Sequence, residues 1–362
     1  MKYLPLIAAV ALTTSCAGNA NKSAAPVEES PTPAETLIVR LQNAVDSGRF
    51  YFGHHDDTAY GHTWRYEDGA SDVKAVTGEY PGLMSWDLGM IELDSAKNLD
   101  GVPFEFIAAE IAKQDARGGI NAISWHPRNP VSGGDSWDVS TSPLQMMATD
   151  STLTATMTAW IDRAAAFISS LKDSEGNPIP VIFRPWHENS GSWFWWGANN
   201  STPEQYINLW HLTRERFDSA GIDNVVWAYS PDKDLTPEQY FSTYPGDEYV
   251  DILGTDIYHF GGEQGIEEYT ARIKAQLPYV VDEARKRGKI AAFTETGLEG
   301  LEVADWYTRV LQPSIEGLPS PTYACGATPS RARSPITSMS PTPDIPARVT
   351  SRNFTTPRVL FS

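Results

Sequence analysis

The sequence predicts a (β/α)8 TIM barrel, and three observations carry that prediction. Seven short apolar segments each end in a charged, polar or aromatic residue. Stretches of helical periodicity separate most of them. The length, 362 residues, suits one α/β barrel without splitting. The rival, a doubly wound α/β sheet, would want a glycine-rich phosphate loop after its first strand. Here the first strand runs into "YFGHHDD", which offers none.

The elements follow in order. "ETLIVRLQNAVDSG" has helical spacing, and "RFYFGHHDDTAYG" reads as a strand running into a polar loop. "YPGLMSWDLG" is the second strand, with "VPFEFIAAEIAKQDARGG" a helix behind it. "INAISWHPRNP" is the third strand, and "MMATDSTLTATMTAWIDRAAAFISSLKD" is helical in large part. "IPVIFRPWHENSG" is the fourth. "TPEQYINLWHLTRERFDSAG" opens on Thr-Pro, keeps its apolar spacing and stops at Gly, so it is a helix. "NVVWAYSPD", "VDILGTDIYHF" and "KIAAFTETG" complete the seven strands. The helix "GIEEYTARIKAQLPYVVDEARKRG" precedes the last strand and "VADWYTRVLQPSIE" follows it. The C-terminal strand ends of such a barrel carry the chemistry. His54, Asp87, His126, Glu188, Asp256, Tyr258 and Glu295 fall there.

Charge and composition narrow the function. Lys and Arg number 28 against 46 Asp and Glu, a formal charge of −18, which repels nucleic acid and anionic surfaces. A neutral partner is easier to accept. Twelve Trp suit a core, and equally a groove that stacks flat apolar faces. Only two Cys occur, Cys16 and Cys325, so Cys-built metal sites are excluded. Residues 1–16 read as a targeting segment: an early Lys, an apolar run too short to span a bilayer, small residues, then Cys16. "ALTTSC" resembles a bacterial lipoprotein signal, which implies lipidation of Cys16 and export to the cell envelope; ordinary secretion is the alternative. Residues 17–35 are small, polar and Pro-bearing, and read as a flexible tether. Residues 36–318 then form the barrel domain.

Two carboxylates stand out. Glu188 follows "IPVIFRPWH" at the mouth of a buried strand, beside Trp, where apolar surroundings raise a carboxyl pKa. Local spacing leaves it open whether Glu188 is a general acid or a strut paired with Arg184. Glu295 ends "KIAAFTE", two residues before Gly297. Two carboxylates on one rim are what glycosidic bond cleavage needs. His126 and His187 favour hydrogen bonding over metal ligation, for there is no HExxH and no Cys partner. "GHHDD" at 53–57 is the best metal lookalike, but its ligands are adjacent in sequence. Asp256 and Tyr258 share one face of their strand, where Tyr258 could donate to a nucleophile. Trp193, Trp195 and Trp196 follow the acid; at least one is expected to stack on a sugar ring. No GxSxG occurs.

The stretch "RPWHENSGSWFWWG", residues 184–197, resembles the acid/base motif of glycoside hydrolase family 26, chiefly endo-β-1,4-mannanases. The resemblance spans roughly residues 36–318. It implies a (β/α)8 barrel that cleaves with retention, Glu188 as acid/base and Glu295 as nucleophile. It further implies site roles for Arg184, His187, Trp193, His126, Asp256, Tyr258 and the "WD" pair Trp86 and Asp87. No cofactor is implied. The substrate implied is mannan, glucomannan or galactomannan, with β-glucan or xylan as the minority alternative within the family, and a carbohydrate-binding protein that has lost catalysis as the alternative outside it.

The tail from 319 to 362 departs from that pattern. Seven Pro fall between Pro319 and Pro346, and nothing alternates as a strand should. The family expects an eighth strand ending in Trp, yet no Trp follows Trp306. The sequence therefore predicts a disrupted eighth strand, with a frameshift over roughly 326–350 as its cause and unpaired edges on the first and seventh strands.

Overall fold

The computed structural model describes residues 30–61, 63–298, 302–316, 324–327 and 358–360. Cys16, its signal segment, most of the tether and all but the first two residues of the stretch read as frameshifted lie outside the described residues. The first helix, α1 (Pro33–Asp46), begins three residues inside the stretch read as tether. The reason is local. Thr32 accepts from Glu35 N while the Glu35 carboxylate takes Thr32 N–H, and Pro33 sits at the first helical position.

Seven parallel strands follow in sequence order: β1 (Arg49–His55), β2 (Leu83–Asp87), β3 (Ile120–Ser124), β4 (Val181–Arg184), β5 (Val225–Tyr229), β6 (Ile252–Asp256) and β7 (Ile290–Glu295). Each pairs with the next. The principal helices between them are α2 (Asp72–Thr77), α3 (Phe104–Ala116), α4 (Pro143–Met147), α5 (Ser151–Ser170), α6 (Pro203–Ser219), α7 (Pro237–Phe241) and α8 (Gly262–Lys286). The long helical stretch after β3 divides into α4 and α5 because Asp150 caps Thr152 and Leu153.

Strand alternation sorts the side chains. Leu83, Ile182, Ala228, Ile252 and Ala292 point into the barrel, where α1 closes one end with Leu37 and Leu41. Each fully buried Leu there contributes about 1.5–3 kcal/mol. Met84, Trp86, Ile123, Phe183 and Trp227 point outward into the layer packed by α3, α5 and α6.

The eighth strand, expected to be disrupted, is a segment of four residues. β8 (Ala324–Ala327) pairs in parallel with Tyr51–His54 of β1, and β9 (Arg358–Leu360) pairs in parallel with Arg49–Tyr51. The edge of β1 is thus paired. Ladder bonds are made by backbone, so four small residues pair without any alternating pattern to announce them. Among the described residues no ladder joins β8 to β7.

Candidate active site

β4 delivers Glu188. Its outward Phe183 packs in the helix layer and its inward Arg184 turns toward the barrel axis. The chain then takes left-handed conformations at Trp186 (φ 55°) and Glu188 (φ 51°), and Glu188 N–H donates to Ser230 O at 2.8 Å. This turn lifts the Glu188 carboxyl into a cleft of about 1100 Å³. Trp193 donates its indole N–H to Glu188 Oε2 at 2.7 Å. Burial, with Asp256, Glu295 and Asp232 adding negative charge, pushes the Glu188 pKa well above the usual carboxylate value. A carboxyl so placed holds its proton to higher pH than a free one.

β7 delivers its partner through an irregularity. Thr255 pairs with Phe293 and Asp256 with Glu295, so Thr294 is one residue too many. Strict alternation would send Glu295 outward with Phe293, which lies among Ile257, Tyr269 and Ile273. The bulge re-aims it, and both Thr294 and Glu295 face the axis. Tyr258 OH donates to Glu295 Oε2 at 2.9 Å, and Arg184 Nη2 donates to Oε1. Arg184 Nη1 reaches Asp256 Oδ2 at 2.7 Å and Ser230 Oγ at 2.9 Å. Burial opposes the guanidinium charge, but Asp256 and Glu295 outweigh it and raise the Arg184 pKa. Burial drives Asp256 well above the usual value, opposed by Arg184 and reinforced by Glu295. Carboxylate oxygens of Glu188, Asp256 and Glu295 lie within 4.8 Å of one another.

A second polar chain lies on the β2–β4 side. Asp87 accepts from Ser124 Oγ at 2.7 Å and from Gly89 N at 2.6 Å, and its Oδ2 meets His126 Nδ1 at 2.6 Å. Burial resists ionisation, yet His126 and these bonds hold the Asp87 pKa down to about 2. His126 Nε2 lies 3.0 Å from His187 Nε2. Burial, then the charge of Arg184 and His126, lowers His187 well below the ordinary histidine value, so it is neutral. Trp137 stacks on the His126 ring at 5.3 Å and 13°.

Two groups have metal-like spacing among the described residues. One is the Glu188, Asp256 and Glu295 cluster. The other brings His55 and Asp56 together with Asp100 of a different loop, so neighbours in "GHHDD" do converge with help from outside the motif. His55 Nε2 lies 3.5 Å from Asp56 and 3.9 Å from Asp100. Burial works against its charge, but the two carboxylates raise its pKa to about 9. The imidazolium supplies the cation that this group needs.

The family model for Glycosyl hydrolase family 26 matches residues 29–295, which include Glu188 and Glu295. The chain belongs to glycosyl hydrolase family 26. A mannan endo-1,4-beta-mannosidase of Bifidobacterium adolescentis is 32% identical over 312 residues, covering 83% of this chain and 30% of that protein. This chain thus spans less than a third of that relative's length. One from Bacillus subtilis is 30% identical over 264 residues, covering 70% of this chain and 69% of that protein. The solved GH26 beta-mannanase from Bacteroides ovatus is 42% identical with a TM-score of 0.82, covering 91% of this chain and 95% of that one.

Within this family 26 barrel, the structure brings Glu188, Glu295, Asp87, His126, His187, Trp193 and Tyr258 to one cleft. Three residues expected at the substrate lie elsewhere. Trp86 is fully buried in the helix layer, with its indole N–H on Asn121 at 3.4 Å, because it alternates with inward Asp87. Arg184 and Asp256 lie beneath the cleft instead of lining the groove; Arg184 bonds both Asp256 and Glu295. Trp195 and Trp196 are fully buried and bond Pro127 O and His187 O, so they fix the loop. Trp193 alone of the three reaches the cleft. Sequence reasoning missed Asp232, Lys233, Trp137 and Phe260, all of which line it. Asp232 and Lys233 directly follow the strand "NVVWAYSP", so the strand-end rule could have found them. Phe260 ends the stretch "VDILGTDIYHF", so the same rule could have found it, whereas Trp137 stands in a loop with no periodic signal.

Proposed function

We propose that the protein is a retaining endo-β-1,4-mannanase. The observation that carries this reading is the approach of Glu188 and Glu295 to within 4.8 Å, oxygen to oxygen, from two strands of one barrel mouth. Retaining enzymes keep their carboxyls about 5–5.5 Å apart, whereas inverting ones leave about 6.5–9.5 Å for a water. The environments divide the labour. Glu188, kept protonated by burial and its acidic neighbours, donates to the departing sugar oxygen. Glu295, held by Arg184 and Tyr258, attacks the anomeric carbon and forms a glycosyl-enzyme. Glu188, now a base, takes a proton from water, and the water releases the sugar. Every step uses protein carboxylates and water.

The names of the relatives support β-mannan as substrate. A β-glucanase is the second reading, because Endoglucanase H of Acetivibrio thermocellus is 28% identical over 153 residues. Release of reducing ends from glucomannan, barley β-glucan and xylan separates the two. Glu295→Ala is expected to abolish turnover on mannan while sugar binding, read by calorimetry, persists. Normal turnover by that variant would sink the assignment.

The sequence also supports export with lipid attachment at Cys16 of residues 1–16, followed by a tether. Labelled fatty acid should appear on the wild-type chain in intact cells and be lost from Cys16→Ala. Equal labelling of both would sink that proposal.

A further inference from the structure

The loop after β5 places a cation beside the acid, and the chemistry above gives it no task. Ser190 Oγ accepts from Asp232 N at 2.9 Å, and Gln276 Nε2 donates to Asp232 O at 2.9 Å. Asp232 also bridges to Asp256 at the end of β6. The loop is therefore fixed from three elements. Asp232 Oδ2 accepts from Lys233 Nζ at 3.1 Å. That ammonium lies 5.8 Å from the centre of the Trp193 ring. Trp193 in turn holds Glu188.

We infer that Lys233 binds the sugar on the leaving-group side of the scissile bond, with Asp232 as its anchor and Trp193 as the apolar floor beside it. The inference rests on the retaining mannanase reading. The groups around the two carboxylates divide cleanly. Arg184 and Tyr258 serve Glu295, while Trp193 serves Glu188. An acid protonates the oxygen that departs, so side chains gathered at Glu188 face the departing sugar. An ammonium has three donors. Asp232 takes one, which leaves donors for ring hydroxyls in a cleft that Lys233 lines. Asp232 fixes the direction of the side chain, so less rotamer freedom is lost when the sugar arrives. The ligand class is a neutral pyranose whose hydroxyls accept from a cation while its C–H face meets an indole.

The test compares two substrates on the full chain. Mannopentaose presents a sugar as leaving group. A 4-nitrophenyl β-mannobioside presents only an aryl ring there. For Lys233→Met, which keeps the apolar stem and removes the donors, the ratio of kcat/KM on mannopentaose to that on the aryl glycoside should fall about tenfold or more. The loss should sit mainly in KM, and Lys233→Arg should restore most of the ratio. Lys233→Gln is the second variant should Met fail to fold. A ratio within twofold of wild type in either folded variant overturns the inference. Failure of the wild-type chain to cleave either substrate sinks the mannanase reading instead, and the two failures are distinguishable.

Discussion

Trp193 donates to Glu188, the carboxyl that the proposed mechanism keeps protonated, and that bond works against the proton. It stabilises the carboxylate form, while burial and acidic neighbours favour the acid. Trp193→Phe removes the donor, so the pKa of Glu188 should rise further. The basic limb of the kcat/KM profile, where Glu188 loses its proton, should move to higher pH; a shift to lower pH would reverse the argument. Asp87 has the opposite sign. Its folded pKa of about 2 lies below the ordinary 3.8. Its stabilisation is present above about pH 4 and is lost as pH falls toward 2, with a size of about 2 kcal/mol. Urea unfolding of wild type and Asp87→Asn should therefore converge as pH falls from about 4 to about 2. The residue types that do this chemistry are legible in the sequence. Their directions are legible only in part: alternation alone separates Trp86 from Asp87, whereas the bonds from Arg184 to Asp256 and Glu295 cross strands that no local pattern connects.

At the scale of elements, the loop after β4 depends on one glycine. A Cβ on Gly191 would come within 2.4–2.6 Å of the Trp193 ring. Gly191→Ala should displace the indole from Glu188 and lower kcat about tenfold or more, with the thermal midpoint little changed, since a small misplacement near the chemistry costs far more rate than stability. Strands β2 to β7 are legible in the sequence because each is an apolar run with a polar end. β8 is not, because Ala, Cys and Gly carry no alternation and the pairing with β1 is made by backbone. The start of α1 is written in Thr32, Pro33 and Glu35, a capping sequence hidden in a stretch whose composition reads as tether.

Across the whole molecule, the β1 edge of the sheet is covered from the tail. A chain ending at Glu316 would lose β8 and β9 and expose β1 as an edge. It should melt lower and scatter light on warming, whereas the full chain should not. The barrel rhythm is legible throughout, because each strand needs a helix to return to the same end. What periodicity cannot show is where that rhythm is broken for the sake of chemistry. β7 holds a supernumerary threonine, and everything downstream of it is rotated by half a turn. Flatten that bulge with the threonine kept in regular register, and Glu295 would be walled in by Ile257 and Tyr269, its identity intact and its access to any solute gone.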